Sequence, residues 1–316
     1  MATSESYDFS MKRDTLINSA LRLLGVVKYG TNPPTAMVTA GAECLNIMLK
    51  SFQAEGIGLW LLKTVTVFLQ TDTESYALGA SGTYATETYV STTLASAAIL
   101  GATTIVVTSV TGITSAYYIG IELDDGTLQW TTVSGAPSGT TVTLAAALTD
   151  TAAAGNTIFC FQKKVQRPLE IMEARLRDED GKETPINIVS RSVYMNMSDK
   201  STSGMPTIVY YDPQLTNGTL YVWPTTDSVD NVLRLTIKKP IQDFDAATDD
   251  CDLPIEWAEA IKFNLALRLA PELMDDIAED RMKYILEMAR ESKRNAQGFD
   301  AELNTSIYFQ PDLDSY

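Results

Sequence analysis

Residues 103–145 read TTIVVTSVTGITSAYYIGIELDDGTLQWTTVSGAPSGTTVTLA. Apolar, mostly β-branched residues alternate with polar residues here, which is the period of strands that bury one face. Asp124, Asp125 and Gly126 separate two such runs and predict a hairpin, because a tight turn needs residues that tolerate positive φ. The segment lies within residues 65–162, which contain no Lys or Arg. We therefore predict a small all-β domain, a sandwich or a barrel, over residues 85–162. Its predicted strands are residues 103–109, 117–123, 127–133, 141–145 and 156–161.

Helical patterns flank this stretch on both sides. Apolar residues recur at three- and four-residue spacing in residues 12–27, 34–54, 253–270 and 271–296. Asp252 is placed to cap the third of these helices, and Pro271 is placed to end it. Residues 61–69 have β-type character, because Thr64 and Thr66 alternate with Val65 and Val67. Strand patterns also fill much of residues 163–240, with a hairpin turn predicted at Asn217 and Gly218.

These patterns predict an α+β fold, with a helical bundle core and an antiparallel β portion, interrupted by the small all-β domain. The predicted divisions are a discontinuous core of residues 1–84 and 163–297, an insertion of residues 85–162, and a tail of residues 298–316.

Composition limits the function. The formal net charge is −16, which argues against a protein whose main task is to hold nucleic-acid phosphates. The chain has no histidine, so it has no Ser-His-Asp triad and no histidine-ligated metal. It also lacks a phosphate-binding loop and a dinucleotide fingerprint. A Ser-Lys or paired-carboxylate site stays open, but we expect no enzyme, no cofactor and no metal.

The cysteines and the hydropathy indicate the compartment. Cys44, Cys160 and Cys251 have no metal-ligand spacing and are odd in number, so we predict that they are reduced and mostly serve in packing. The first ten residues carry no apolar signal core, and no stretch has the length of a membrane span. We expect the protein to fold in a cytoplasm, without membrane insertion.

Two acidic runs lie near the ends of the third predicted helix. Asp243, Asp245, Asp249, Asp250 and Asp252 crowd one loop, and the other run extends from Glu272 to Asp280 and includes Asp275 and Asp276. Oxygen ligands at alternating positions suit calcium, although helix capping and a solvated turn explain the loop more simply. Both runs also suit a surface past which DNA slides, because carboxylates repel phosphates.

The C-terminal tail is rich in apolar and aromatic residues, namely Ile307, Tyr308, Phe309, Pro311, Leu313 and Tyr316. The segment is too short to bury these side chains alone. It is either a frayed terminus or a segment that docks onto another protein, and we favour docking.

The parts outside the insertion resemble one family. Residues 16–60 read LINSALRLLGVVKYGTNPPTAMVTAGAECLNIMLKSFQAEGIGLW and resemble the opening of the short-tailed phage tail accessory factors, also called packaged-DNA stabilisation or head-completion proteins. Further similar runs are RPLEIMEARLRDEDGKETPINIVSRSVYMNM at 167–197, GMPTIVYYDPQLTNGTLYVWP at 204–224, and DLPIEWAEAIKFNLALRLAPEL at 252–273. The family pattern has little room for residues 85–162, which it therefore marks as an insertion.

The resemblance implies a head-to-tail adaptor of a tailed bacteriophage. Such proteins form a ring of about twelve copies under the portal protein, extend the DNA channel and help to retain the packaged genome. They also present a platform for tail nozzle or tail tube proteins. Double-stranded DNA passes through transiently, and residues 299–316 would reach the portal. The implied location is the head-tail junction of the virion, after assembly in the host bacterial cytoplasm.

Two other functions stay open. One is a carbohydrate- or host-surface-binding tail module, in which Tyr117, Tyr118 and Trp130 form an aromatic platform, although aromatic residues of strand cores explain them more simply. The other is a peptidoglycan-cleaving tail component that uses a carboxylate pair.

Overall fold

The computed structural model describes residues 5–6, 9–56, 59–273 and 278–300. The chain forms two compact units. A helical unit takes its described residues from both ends of the chain, up to Leu61 and from Ile241 onwards. A β unit comprises Leu62–Pro240.

Five α-helices occur among the described residues: α1 (Arg13–Leu24), α2 (Thr35–Ala54), α3 (Arg191–Met195), α4 (Ala258–Leu273) and α5 (Glu279–Phe299). All except α3 belong to the helical unit, in which α4 contacts α1, α2 and α5. Phe52 and Trp257 meet in the core of this unit, with ring centroids 6.0 Å apart. Gly25 ends α1, because its φ of 82° is left-handed and its N–H donates to the Arg22 carbonyl oxygen.

Two details of the predicted third helix are wrong. Asp252 does not cap it: the N-cap of the preceding short 3₁₀ helix (Ile255–Trp257) is Pro254, and no side chain bonds there. Instead, Asp252 Oδ2 accepts the Gln242 N–H at 3.2 Å. Pro271 does not end the helix either, since α4 continues through it to Leu273.

The β unit is built on one large sheet. Fourteen strands occur among the described residues: β1 (Leu62–Phe68), β2 (Ser75–Leu78), β3 (Ala85–Thr86), β4 (Val90–Thr93), β5 (Thr104–Val106), β6 (Tyr118–Glu122), β7 (Leu128–Thr132), β8 (Thr141–Thr143), β9 (Thr157–Phe161), β10 (Glu170–Arg177), β11 (Glu183–Ile188), β12 (Ile208–Asp212), β13 (Gly218–Trp223) and β14 (Val232–Lys238). Eight of them pair in the order β2-β13-β12-β11-β10-β14-β1-β3. All eight contribute to a single apolar cluster, so the sheet is nearly closed around its own core.

The predicted fold class is therefore wrong. The described residues are mostly β and contain no helical bundle core around which the strands are arranged. The strands of residues 62–86 and 163–240 bury their apolar side chains against one another and belong to a unit of their own. The predicted antiparallel arrangement also fails at one place, because β11 and β12 pair in parallel.

Two smaller sheets lie within residues 85–162: β4-β9-β6-β7 and β5-β8. Their shared apolar cluster runs from Leu94 to Cys160 and belongs to this segment alone. The predicted hairpin is present between β6 and β7, where Gly126 has a φ of 79°. Thr86 Oγ1 donates to the Lys163 carbonyl oxygen at 2.9 Å, so the chain enters and leaves this segment at neighbouring points. The boundaries of the insertion stay a prediction, since the structure groups these residues with the rest of Leu62–Pro240.

The three cysteines are free thiols. Burial raises the pKa of both Cys160 and Cys251 to about 11. Because the thiolate is the nucleophile, the reactive fraction at pH 8 is roughly a hundredfold lower than for a free cysteine. We expect iodoacetamide to modify Cys160 and Cys251 of the folded protein at a correspondingly low rate, which rises as the pH approaches 11. Mass spectrometry of the peptides that contain these two cysteines, in timed samples, measures the rate, and labelling in urea is the control. A rate equal to that of free cysteine would contradict the burial of these thiols.

Candidate functional site

The predicted acidic residues of the first run lie on one loop of the helical unit, residues 241–253, which we call the acidic loop. Its side chains alternate between two environments. Ile241 and Phe244 are buried in the helical core. Asp243, Asp245 and Asp250 are exposed, and Asp249 is half-buried. The two buried side chains therefore fix the loop while the exposed carboxylates face solvent.

Three polar residues of α2 hold the main chain of the acidic loop. Asn46 bonds both backbone groups of Phe244: its amide donates to the carbonyl oxygen at 3.2 Å, and its Oδ1 accepts the N–H at 2.9 Å. Lys50 Nζ donates to the Ile241 carbonyl oxygen at 2.7 Å, and Gln53 Oε1 accepts the Ile241 N–H at 2.8 Å. Positions 46, 50 and 53 share one helix face, because residues three and four apart are neighbours on a helix surface.

The carboxylates of the acidic loop divide into two groups. Asp249 Oδ2 accepts the N–H groups of Asp245 at 2.9 Å and Ala246 at 2.6 Å, and thereby shapes the turn. Asp243 pairs with Lys50 at 2.7 Å. Among the described residues, no group of three or more Asp, Glu, His or Cys side chains could hold a metal ion. The loop is thus ordered by hydrogen bonds within the protein.

An apolar pocket adjoins the acidic loop at Asp250 and Cys251. It encloses about 160 Å³ between the segment before α1, the end of the loop and the start of α4. Phe9 and Ile255 line it and are 72% and 38% exposed. Pockets for drug-sized ligands enclose about 300–1,000 Å³, so this pocket suits one apolar side chain better than a metabolite.

Most of the other predicted site residues lie outside the part of the chain that the structure describes. Asp275 and Asp276 lie outside the described residues, as do Ile307, Tyr308, Phe309, Pro311, Leu313 and Tyr316. Phe299, at the start of the segment that the resemblance assigns to the portal, ends α5. Its ring stacks on Trp60, with centroids 5.8 Å apart, and both residues are exposed. Sequence reasoning missed this pair, because no local pattern joins residues so far apart in the chain.

The predicted aromatic platform is not formed. Trp130 and Tyr118 belong to an aromatic cluster that also contains Phe68, Tyr84, Tyr89, Phe159 and Phe161. Trp130 stacks on Tyr84, with centroids 4.3 Å apart and planes at 11°. Tyr117 packs instead against the apolar cluster of residues 94–160. The aromatic cluster therefore joins the four-stranded sheet to β1 and β14 within the β unit.

Comparisons with family models and with curated proteins identify no family for the chain. In the part of the chain that the structure describes, no helix is long and apolar enough to cross a bilayer. No protein-family model matches the sequence, and no curated protein matches it significantly.

Proposed function

We propose that the protein is a head-to-tail adaptor of a tailed bacteriophage. In this role it forms a ring of about twelve copies under the portal protein and extends the DNA channel. It helps to retain the packaged genome, and it offers a platform to the tail nozzle or tail tube proteins. The assembled ring is located at the head-tail junction of the virion.

The observation that carries the proposal is that the acidic loop and the apolar pocket adjoin each other in the helical unit. A pocket for a single side chain, bordered by exposed Phe9 and Ile255, suits contact with another protein. The exposed stack of Trp60 and Phe299 adds a second apolar contact surface to the same unit. These features fit a subunit that is completed by its neighbours.

The charges of the acidic loop fit the passage of DNA. Asp245 and Asp250 are exposed, and the Asp243 side chain remains 54% exposed in its ion pair with Lys50. A wall of fixed carboxylates repels phosphates over about 8 Å at physiological salt, so DNA slides past it without being held. Clustered Lys and Arg would instead bind the duplex tightly.

The test is assembly with the portal protein of the same phage. Native mass spectrometry and electron microscopy of the purified chain, alone and with the portal, should show a ring of about twelve copies or its portal-dependent formation. A chain that stays monomeric and ignores the portal would exclude the adaptor function.

We expect deletion of residues 305–316 to abolish attachment to the portal and to leave the fold intact. The deleted segment carries the apolar and aromatic side chains that the docking hypothesis requires. Co-sedimentation with the portal measures attachment, and circular dichroism measures the fold. Tyr29→Ala is the matched control, because Tyr29 is 93% exposed in the same unit and should be dispensable. Unchanged attachment of the truncated chain would refute the docking role.

A further inference from the structure

A cleft in the β unit is separate from the site described above. One wall is formed by Ser91 and Thr93 of β4 and by Thr157 and Phe159 of β9. These residues share a face of the four-stranded sheet, because Ser91 pairs with Phe159 and Thr93 pairs with Thr157. The facing wall comes from the end of β10 and the turn after it (Arg177, Asp178 and Glu179) and from the start of β14 and the residues just before it (Asp230 and Val232). The cleft encloses about 330 Å³, within the range of small-ligand sites.

Tyr89 provides the aromatic surface of the cleft. Its ring makes T-shaped contacts with Phe68 and Phe159, with centroids 5.3 and 5.8 Å apart. These contacts hold the half-buried ring in one orientation. An aromatic ring that is already fixed costs little conformational entropy when a ligand packs against it.

The polar groups of the cleft are also held in place. Thr157 Oγ1 donates to Asp230 Oδ1 at 2.9 Å, which ties the two walls together. Behind this bond, Glu122 Oε2 accepts the Thr157 N–H at 2.7 Å. Asp230 keeps a second carboxylate oxygen and further lone pairs for a ligand. The walls are therefore organised before binding.

The charges of the cleft select the class of ligand. Asp178, Glu179 and Asp230 line it together with a single cation, Arg177. The wall from β4 and β9 adds no cation, since residues 65–162 contain no Lys or Arg. An excess of carboxylates disfavours phosphates, nucleic acid and other polyanions. It favours uncharged ligands that are rich in hydroxyl donors, because hydrogen bonds to ionised acceptors are the strong ones.

We propose that this cleft binds a neutral saccharide of one or two sugar rings. The apolar face of a sugar ring packs on Tyr89, and sugar hydroxyls donate to the carboxylates of Asp178, Glu179 and Asp230. Arg177 and the hydroxyl groups of Ser91 and Thr93 donate hydrogen bonds to the remaining oxygens of the sugar. Binding here is independent of ring assembly, so it adds a recognition function to the β unit whether or not the adaptor proposal holds.

The test is saturation-transfer NMR of the full chain with glucose, galactose, N-acetylglucosamine and their disaccharides at millimolar concentration. We expect transfer to at least one of these sugars. Tyr89→Ala should weaken its binding about tenfold or more, and Asp230→Asn should weaken it also, while Tyr89→Phe should retain it. The exposed Tyr29→Ala of the helical unit is the matched control and should bind like the unsubstituted chain.

Two results would overturn the proposal. One is the lack of transfer to every sugar of the panel. The other is binding that survives both Tyr89→Ala and Asp230→Asn, which would place the sugar elsewhere. Because Tyr89→Ala removes contacts to Phe68 and Phe159, Glu179→Gln serves as a variant at an exposed position that should fold normally and still weaken binding.

Discussion

Replacement of Phe68 by Ala is expected to lower the free energy of unfolding of the β unit by about 3–5 kcal/mol. Phe68 is 2% exposed and lies at the centre of the aromatic cluster. Its ring centroid is 4.7 Å from that of Phe159, 5.1 Å from Trp130 and 5.6 Å from Phe161. Truncation removes this apolar surface and leaves a cavity between two sheets that cannot easily close, because both are fixed by their own hydrogen bonds.

Urea unfolding measures the effect. Circular dichroism follows the strands, and tryptophan fluorescence, to which Trp130 of the cluster contributes together with the three other tryptophans of the chain, is the second probe. Leu215→Ala is the control in the same unit: Leu215 is 97% exposed, so its loss should change the free energy of unfolding by less than about 0.5 kcal/mol. If Phe68→Ala behaves like this control, the aromatic cluster does not bind the two sheets together.

The sequence predicts the strand that carries Phe68 but not its surroundings. Alternation over residues 64–67 identifies β1, and the structure confirms the period: Val65 and Val67 enter the core of the large sheet, while Phe68 enters the aromatic cluster. Period two tells which side chains share a face. This period does not show that both faces of β1 are buried, because the residues that cover the second face come from β7 and β9, far along the chain.

The same limit explains the wrong fold class. Helical spacing locates α1 and α2 to within a few residues, because it depends on neighbours in sequence. It does not reveal whether strands cover the apolar face of a helix or other helices do. Here the strands of the large sheet cover one another. At Pro271 tertiary packing overrides a local preference, since Leu269 and Ala270 are buried just before it and α4 continues.

For the candidate sites too, sequence patterns predict what is local in the chain and miss contacts between distant residues. The carboxylates of the acidic loop are predictable as a group, because they are close together in the chain. The loop's attachment to Asn46 and Gln53 is not predictable, since about two hundred residues separate the partners. The cleft is hidden for the same reason: neither Tyr89 nor Asp230 stands in a recognisable motif, and only folding brings both to one opening.

Excision of the insertion should give a folded but aggregation-prone protein. Because β3 pairs with β1, the cut belongs after Glu87, with a short Gly-Ser linker joining Glu87 to Gln162. The Val165 N–H still donates to the Ala85 carbonyl oxygen at 2.8 Å, so the large sheet keeps its edge. Removal of Leu128, Trp130, Phe159 and Phe161, however, exposes Phe68 and its cross-strand partner Val232. A new apolar patch on a sheet surface favours association.

The double replacement Phe68→Thr and Val232→Thr should restore solubility in the excised chain, since a cross-strand Thr pair is compatible with a solvated sheet face. Size-exclusion chromatography measures association, and circular dichroism shows whether the strands remain. The same double replacement in the full chain is the informative control. There it should destabilise, because it places two hydroxyl groups into the aromatic cluster. Opposite effects in the two backgrounds would establish that residues 88–161 form a separable domain whose contact with the large sheet is this cluster. An excised chain that remains unfolded despite the polar pair would show instead that the nearly closed sheet depends on the insertion for its own stability.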